Sequence, residues 1–329
     1  MERDRSSDRE HVRDDEVLET IEAADGLAAL AAVFEVESDH EAYVRAKQLW
    51  RDRPVDPPDA IGPPPALPGE QVTIDGHTFW VHGVTHADTD PERAFLRPHI
   101  ERFEDDGATV YCEQGIRSMY FSDLPGVCEM DDYRWAMREC ERTDEVTPHD
   151  LDADGPVRPG GGHRRVEEPR FEGFSEEITT FTLPLRDVAF ELIDAGRDRY
   201  GETVAAALGD VASQFLGTHA DLSTREDYES FRLTRAAATD PERLVDLQSY
   251  YKRTLLPQPI EREWLRRHDR KLEIVTHARN ERMADYAVYH NDTADRVHLI
   301  VGAAHGPGVR YYLEEHRNGN RSLDGFEVV

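Results

Sequence analysis

Residues 72–113 read VTIDGHTFWVHGVTHADTDPERAFLRPHIERFEDDGATVYCE. Apolar residues alternate on either side of Asp75-Gly76, a pair that favours the tight turn of a hairpin. The second strand, about 78–84, runs into HGVTH. Beyond it Asp90 is placed to cap a helix and Pro91 to occupy its first position. Leu96, Ile100 and Phe103 are spaced for a buried stripe, with Pro98 predicting a kink or a split into two shorter helices. Gly107 falls in the stop before the strand ATVYCE. Strand, helix and strand within about 35 residues is the length and order of a crossover between parallel strands.

A second unit closes the chain. Residues 272–290, LEIVTHARNERMADYAVYH, predict a helix over about 278–289 with Met283 and Ala287 on one face. Residues 295–305, DRVHLIVGAAH, are almost continuously apolar up to Gly302, as expected of a strand covered on both faces. Residues 309–316, VRYYLEEH, follow Pro307 and Gly308 as a helix facing inward through Val309 and Leu313. Each unit therefore contains a strand ending in Gly-x-x-His: Gly83 to His86, and Gly302 to His305. The fold expected is α/β, with a mixed or mainly parallel central sheet, flanking helices and a largely helical insertion at about 121–271.

Residues 1–53 are expected to form a disordered, charged start followed by one or two amphipathic helices. In these, Tyr43, Ala46 and Trp50 close an apolar face that either caps the main domain or pairs with another protein. Seven prolines crowd RDRPVDPPDAIGPPPALPGE, so 54–70 reads as a stiff linker and 71–329 as the α/β domain. Residues 141–175, including Gly160, Gly161, Gly162 and His163, read as an extended loop. That glycine cluster lacks the Lys-Ser or Lys-Thr ending of a phosphate loop.

The chain holds 39 Lys and Arg against 68 Asp and Glu, a formal charge of −29 over 329 residues. Such a surface repels itself in dilute salt, where screening extends about 10 Å at 0.1 M, and implies adaptation to high salt. It also excludes a broad nucleic-acid face, which needs clustered cations. EREWLRRHDRK at 261–271 is the one dense basic patch and, with Glu261, Glu263 and Asp269 among its arginines, reads as a charged helix face. With no apolar signal core and no long apolar run, a soluble, cytoplasmic protein without membrane segments is expected. Three cysteines without metal-ligand spacing describe neither a disulfide framework nor a thiolate site, and Cys112 reads as a core side chain.

The candidate chemistry lies at the strand ends. Parallel strands bring their carboxyl ends together, and ligands bind there. Glycine allows close backbone approach, while His86 and His305 each offer an imidazole nitrogen to a proton or a metal. Glu113, ending the strand one crossover after His86, supplies a carboxylate from an expected neighbouring strand. Two imidazoles and a carboxylate form a reasonable shell for a divalent metal with open positions for water and substrate. The same trio without metal makes a general base with an orienting acid, and a carboxylate that merely braces the sheet is the structural alternative. Arg279 and Asn280, before the last strand, and Arg117, four residues after Glu113, are secondary candidates for gripping a substrate carboxylate or a developing oxyanion, with a salt bridge to one of the many acids as the favoured structural alternative. No His-Glu-x-x-His or Gly-x-Ser-x-Gly segment occurs.

HGVTH, VYCEQGIR (110–117), RNERMADYAV (279–288) and VHLIVGAAHGPGV (297–309) together resemble the TraB/PrgY family within the wider Tiki, TraB and GumN group. The resemblance covers 78–120 and 272–315. It implies a mixed α/β core, His86 and His305 as metal or catalytic residues, Glu113 as the motif acid and Arg279 as the motif arginine. Tiki members resemble metal-dependent peptidases supported by Mn or Co, so the ion implied is Mn, Co or Zn. Two positions depart from the pattern: Ala278 stands where an acid often precedes the arginine, and Gln114 follows the motif glutamate in place of an apolar residue. The leading expectation is metal-assisted hydrolysis of a peptide or small amide substrate. The alternative is a noncatalytic regulator that binds a peptide, a protein partner or a second copy of itself.

Overall fold

The computed structural model describes residues 16–145, 185–291 and 293–329. The charged start, most of 141–175 and the Gly160–His163 cluster lie outside them. Six strands form one sheet: β1 (Asp59–Ile61), β2 (Leu67–Ile74), β3 (His77–Val84), β4 (Thr109–Cys112), β5 (Val127–Glu129) and β6 (Arg296–Gly302), in the spatial order β1-β2-β3-β6-β4-β5. The β1/β2 and β2/β3 pairs are antiparallel, whereas β3/β6, β6/β4 and β4/β5 are parallel. The mixed sheet carries the expected α/β architecture, with helices on both faces.

The hairpin turns at Asp75 and Gly76, both left-handed (φ 50° and 90°), so that Ile74 pairs with His77. Left-handed φ at both central residues matches the right-handed twist of the flanking strands. Residues 54–70 differ from the linker their prolines suggest. They supply β1 and the start of β2, and Leu67 is fully buried. Six of the seven prolines lie before β1 or between β1 and β2, and the seventh, Pro68, pairs only with β1, before β2 joins β3 at Glu70.

Helix α1 (Leu27–Phe34) and helix α2 (Asp39–Asp52) precede the sheet, and α3 (Asp90–Asp105) crosses from β3 to β4. Two details of α3 depart from expectation. Its cap is Thr89, whose hydroxyl accepts from the Glu92 N–H, and it runs through Pro98 unbroken. Leu96, Ile100 and Phe103 are nonetheless buried as their spacing required. Helix α4 (Ile116–Tyr120) follows β4, and α5 (Asp132–Glu145) follows β5, a short strand that the sequence did not announce. The described part of the long excursion before β6 is helical, including α6 (Glu202–Leu216), α7 (Tyr228–Thr239), α8 (Leu244–Thr254), α9 (Gln258–His268), α10 (Arg270–Val275) and α11 (His277–His290). Helix α12 (Gly306–Arg317) follows β6.

Strand β6 alternates across both layers. Val297, Leu299 and Val301 pack with Met283, Ala287, Val309 and Leu313 of α11 and α12, while Ile300 joins the opposite cluster with α3 and α8. His82 and His298 are a buried pair between the same layers. Nδ1–H of His82 donates to the Pro68 carbonyl (2.9 Å), which leaves its Nε2 to accept from His298 Nδ1 (3.0 Å). Burial pushes both imidazoles down, to about 4 and about 2, so both stay neutral and structural. Cys112 is likewise a buried core side chain whose thiol burial pushes up.

The N-terminal helices cover the helical layer. Tyr43 stacks on Trp264 of α9 at 4.0 Å, and the Trp50 indole donates to the Leu255 carbonyl at 2.7 Å. The face formed by Tyr43, Ala46 and Trp50 is therefore satisfied within the chain. The basic patch is spent on ion pairs: Arg262 with Glu273 and Glu281, Arg266 with Glu273, and Arg267 with Asp39 and Glu263. Among the described residues no helix is long and apolar enough to cross a membrane.

Leu299 is fully buried at the centre of the parallel strands. Leu299→Ala is expected to cost about 2–5 kcal/mol of unfolding free energy, read by denaturant unfolding in molar KCl. A loss below about 1 kcal/mol would place this strand outside the tightly packed core.

Candidate functional site

Placing β6 between β3 and β4 makes the site. Glu113 follows β4 and His86 follows β3, yet the two strands are not the neighbours that sequence order suggests. The end of β6 separates them, and Gly302 lies between their side chains. A methyl group at Gly302 would lie 2.8 Å from His86 Nε2 and 3.4 Å from Glu113 Oε2. Glycine here is thus a spatial requirement: its missing side chain lets an imidazole and a carboxylate meet across an intervening strand.

Glu113 is buried and fully engaged. Its Oε2 accepts from the Gly302 N–H at 2.7 Å and faces His86 Nε2 at 3.2 Å, while its Oε1 accepts from Arg279 at 2.6 Å and lies 3.6 Å from His305 Nε2. Burial works to raise the Glu113 carboxyl, but His305, His86 and Arg279 outweigh it and hold the group well below the ordinary carboxylate range. An ionised carboxylate only accepts, so His86 carries its proton on Nε2.

The two histidines part company electrostatically. Burial lowers His86, yet the hydrogen bond and charge of Glu113 prevail and its pKa is raised above 6.5. His305 is pushed down to about 4 by burial, against the pull of Glu113. Its Nδ1 lies 2.6 Å from Asn280 Oδ1, and Asn280 uses its Nδ2 to donate to Gln258 Oε1 at 3.0 Å. That network assigns the Nδ1–H tautomer to His305 and leaves the Nε2 lone pair facing Glu113.

The loop carrying His86 is held in an uncommon conformation, with His86 at φ 61° and Asp88 at φ 53°. Buried Glu92, from the first turn of α3, fixes it by accepting from the Thr85 N–H (2.7 Å), the Thr85 hydroxyl (2.6 Å) and the Tyr120 hydroxyl (2.6 Å). Tyr120 in turn accepts from the Asp88 N–H at 2.9 Å. Neither Glu92 nor Tyr120 was singled out from sequence. The Asp90-Pro91 pair drew attention to the helix start, not to the acid one residue further on.

His86, Glu113 and His305 line one cavity of about 280 Å³, with Thr85, Thr234 and Tyr251 also on its walls. Arg279, Asn280 and Arg117 do not line it. Arg279 is bracketed by Glu113 and Asp132, both buried, so it braces the carboxylate from behind rather than reaching a substrate. Asn280 acts through His305. Arg117 stays apart, with its buried Nε lacking a partner. Asp132 is a third residue the sequence concealed, one acid among 68. Gln114 also has a local use, its amide oxygen accepting from the Arg134 N–H at 3.0 Å.

The donor set does not fit a divalent ion as it is arranged. Both Glu113 oxygens are already taken by N–H donors, and the Arg279 guanidinium adjoins the carboxylate that would have to coordinate. Among the described residues no group of three or more His, Cys, Asp or Glu is disposed to hold a metal. What the arrangement offers is one imidazole biased toward its charged form, one biased toward neutrality, and an ionised carboxylate between them.

Gly302→Ala is expected to leave the fold intact while separating His86 from Glu113, so that the His86 pKa, followed by NMR, falls below the wild-type value. An unchanged His86 titration in the folded variant would contradict the close approach. No family model, curated protein or solved structure matches this chain.

Proposed function

We propose that the cavity hydrolyses an amide or peptide bond by metal-free acid–base catalysis, with His305 as base and His86 as acid. The observation that carries this reading is the divergence of two imidazoles about one carboxylate, since sites that divide acid and base roles push paired groups apart in pKa. The convergence of both Gly-x-x-His ends with Glu113 and Arg279 also supports a TraB-like origin for the pocket.

Water held in the cavity loses a proton to the free Nε2 of His305 as its oxygen bonds to the substrate carbonyl carbon. The imidazolium so formed faces Glu113 Oε1 at 3.6 Å, which stabilises the new charge. As the tetrahedral adduct collapses and the C–N bond breaks, His86 gives its Nδ1 proton to the departing nitrogen and retains the Nε2 proton bound to Glu113. Solvent then removes the proton from His305 and restores the one on His86. His86, the more exposed at 32% against 16% for the His305 side chain, is the better placed for that exchange. Glu113, Arg279 and Asn280 position these groups.

Hydrolysis of a mixed peptide pool in molar KCl tests the proposal. His86→Ala and His305→Ala are each expected to lower turnover by about 10²–10⁴-fold, with prior chelation leaving the wild type unaffected. Loss of turnover on chelation, restored by Mn, Co or Zn, would transfer the reaction to a metal. Binding without turnover would leave a noncatalytic peptide-binding regulator.

The pH dependence has a defined sign. The base works once His305 is neutral and the acid works while His86 is charged. Activity should therefore rise through about pH 4 and fall above the raised pKa of His86. A profile that keeps climbing through alkaline pH would contradict His86 as the acid.

A further inference from the structure

A second cavity, also of about 280 Å³, lies between α2, α8, α12 and the sheet. Ala303 alone among the described residues lines both cavities. Helix α8 divides them, with Leu247 and Tyr251 facing the histidines and Gln248 and Lys252 facing the second space. Trp50, Val81, Leu255 and Tyr311 give the second cavity apolar walls, while Arg53, Lys252 and Arg310 bring positive charge into it.

Two of these cations are matched within the protein. Glu70 accepts from Lys252 at 2.7 Å and pairs with Arg310 at 3.2 Å, and Arg310 also reaches Glu314 at 2.9 Å. Arg53 is different. Its guanidinium lies over the Trp50 ring at 3.8 Å and donates to the Lys252 carbonyl at 2.8 Å, and among the described residues it forms no ion pair, Glu22 on the same wall acting on it from beyond that distance. Its Nε and that of Arg310 are buried without hydrogen-bond partners. Burial, reinforced by the like charge of Arg310 and opposed by Glu22, lowers the Arg53 pKa to about 10. Half-buried and without an ion-pair partner among the described residues, this guanidinium is a place that an incoming carboxylate can satisfy.

We propose that this cavity binds a small monocarboxylate with an apolar or aromatic body, its carboxylate on Arg53 and its body against Trp50, Leu255 and Tyr311. Guanidinium and carboxylate match as planar partners. Glu22, Glu70, Glu314 and Glu315 on the same walls disfavour a more highly charged ligand. The site is separate from the hydrolytic one and does not depend on that assignment.

Calorimetric titration of the full chain in molar KCl tests it, with phenylacetate as probe and with phenylacetamide and inorganic phosphate for comparison. Phenylacetate is expected to bind at least tenfold more tightly than the uncharged amide or phosphate. Arg53→Gln should reduce phenylacetate affinity at least tenfold, while His305→Ala leaves it unchanged. Should Arg53→Gln not fold, Tyr311→Ala on the partly exposed wall is expected to weaken phenylacetate likewise. The proposal is overturned by equal binding of acid and amide, by tighter binding of phosphate, by no binding of phenylacetate at millimolar concentration, or by loss of binding in His305→Ala with retention in Arg53→Gln.

Discussion

An ionised carboxylate buried at the ends of three parallel strands is the constraint around which this molecule is arranged. Taking a carboxylate out of water costs several kcal/mol unless its oxygens are met by donors. Glu113 meets that requirement with one partner from each surrounding element: the Gly302 N–H from β6, Arg279 from α11 and His86 from the loop after β3. The last strand must enter between two earlier ones for these partners to converge. The helical excursion then has to deliver α11 at the correct height, where Asp132 steadies Arg279 from the other side. Because the Glu113 pKa is lowered in the folded chain, its contribution to stability is present above its unfolded value and lost as pH falls through the folded one. His86 behaves oppositely: its raised pKa stabilises fully below 6.5, and that contribution is lost as pH rises through the folded value.

Much of this was legible in the sequence because it rests on short-range rules. Asp75-Gly76 fixed the hairpin, Gly107 stopped α3, and the apolar run 297–301 announced a strand covered on both faces. His86, Glu113 and His305 were recognisable since each lies within three residues of the end of a strand. The strand order was not legible, because nothing local in β6 says that it pairs between β3 and β4. That is why Glu113 was expected on the strand beside His86, and why Gly302 gains its meaning only in three dimensions. Prolines misled in 54–70: all but Pro68 fall in the connecting segments around β1, where they leave the strands themselves free to pair. For Arg279 a substrate clamp and a salt bridge both stood open, and its second carboxylate, Asp132, was indistinguishable among so many acids.

The same excess of acid gives weight to two of the cations drawn in from the surface, which stand beside the buried Lys47, Arg186 and Arg282. At Arg279 the charge is doubly paired and serves to hold Glu113. At Arg53 it faces a cavity with apolar walls and, among the described residues, no carboxylate within ion-pair distance. Around the rest of the described chain, arginines such as those of α9 are bound to acids on neighbouring helices, which favours the compact state in a chain that otherwise repels itself. Helix α12 joins both regions, starting after His305 and carrying Arg310 and Tyr311 along the wall of the second cavity.

The most direct test of this account is the charge of Glu113 itself. The ¹³Cδ resonance of Glu113, followed in molar KCl as the pH is lowered, should stay at its ionised position down to the lowest pH at which the fold survives. Titration of that carboxyl near or above the ordinary value of 4.5 would contradict the account, because neither the bias of His86 toward its charged form nor the charge facing His305 would then be in place.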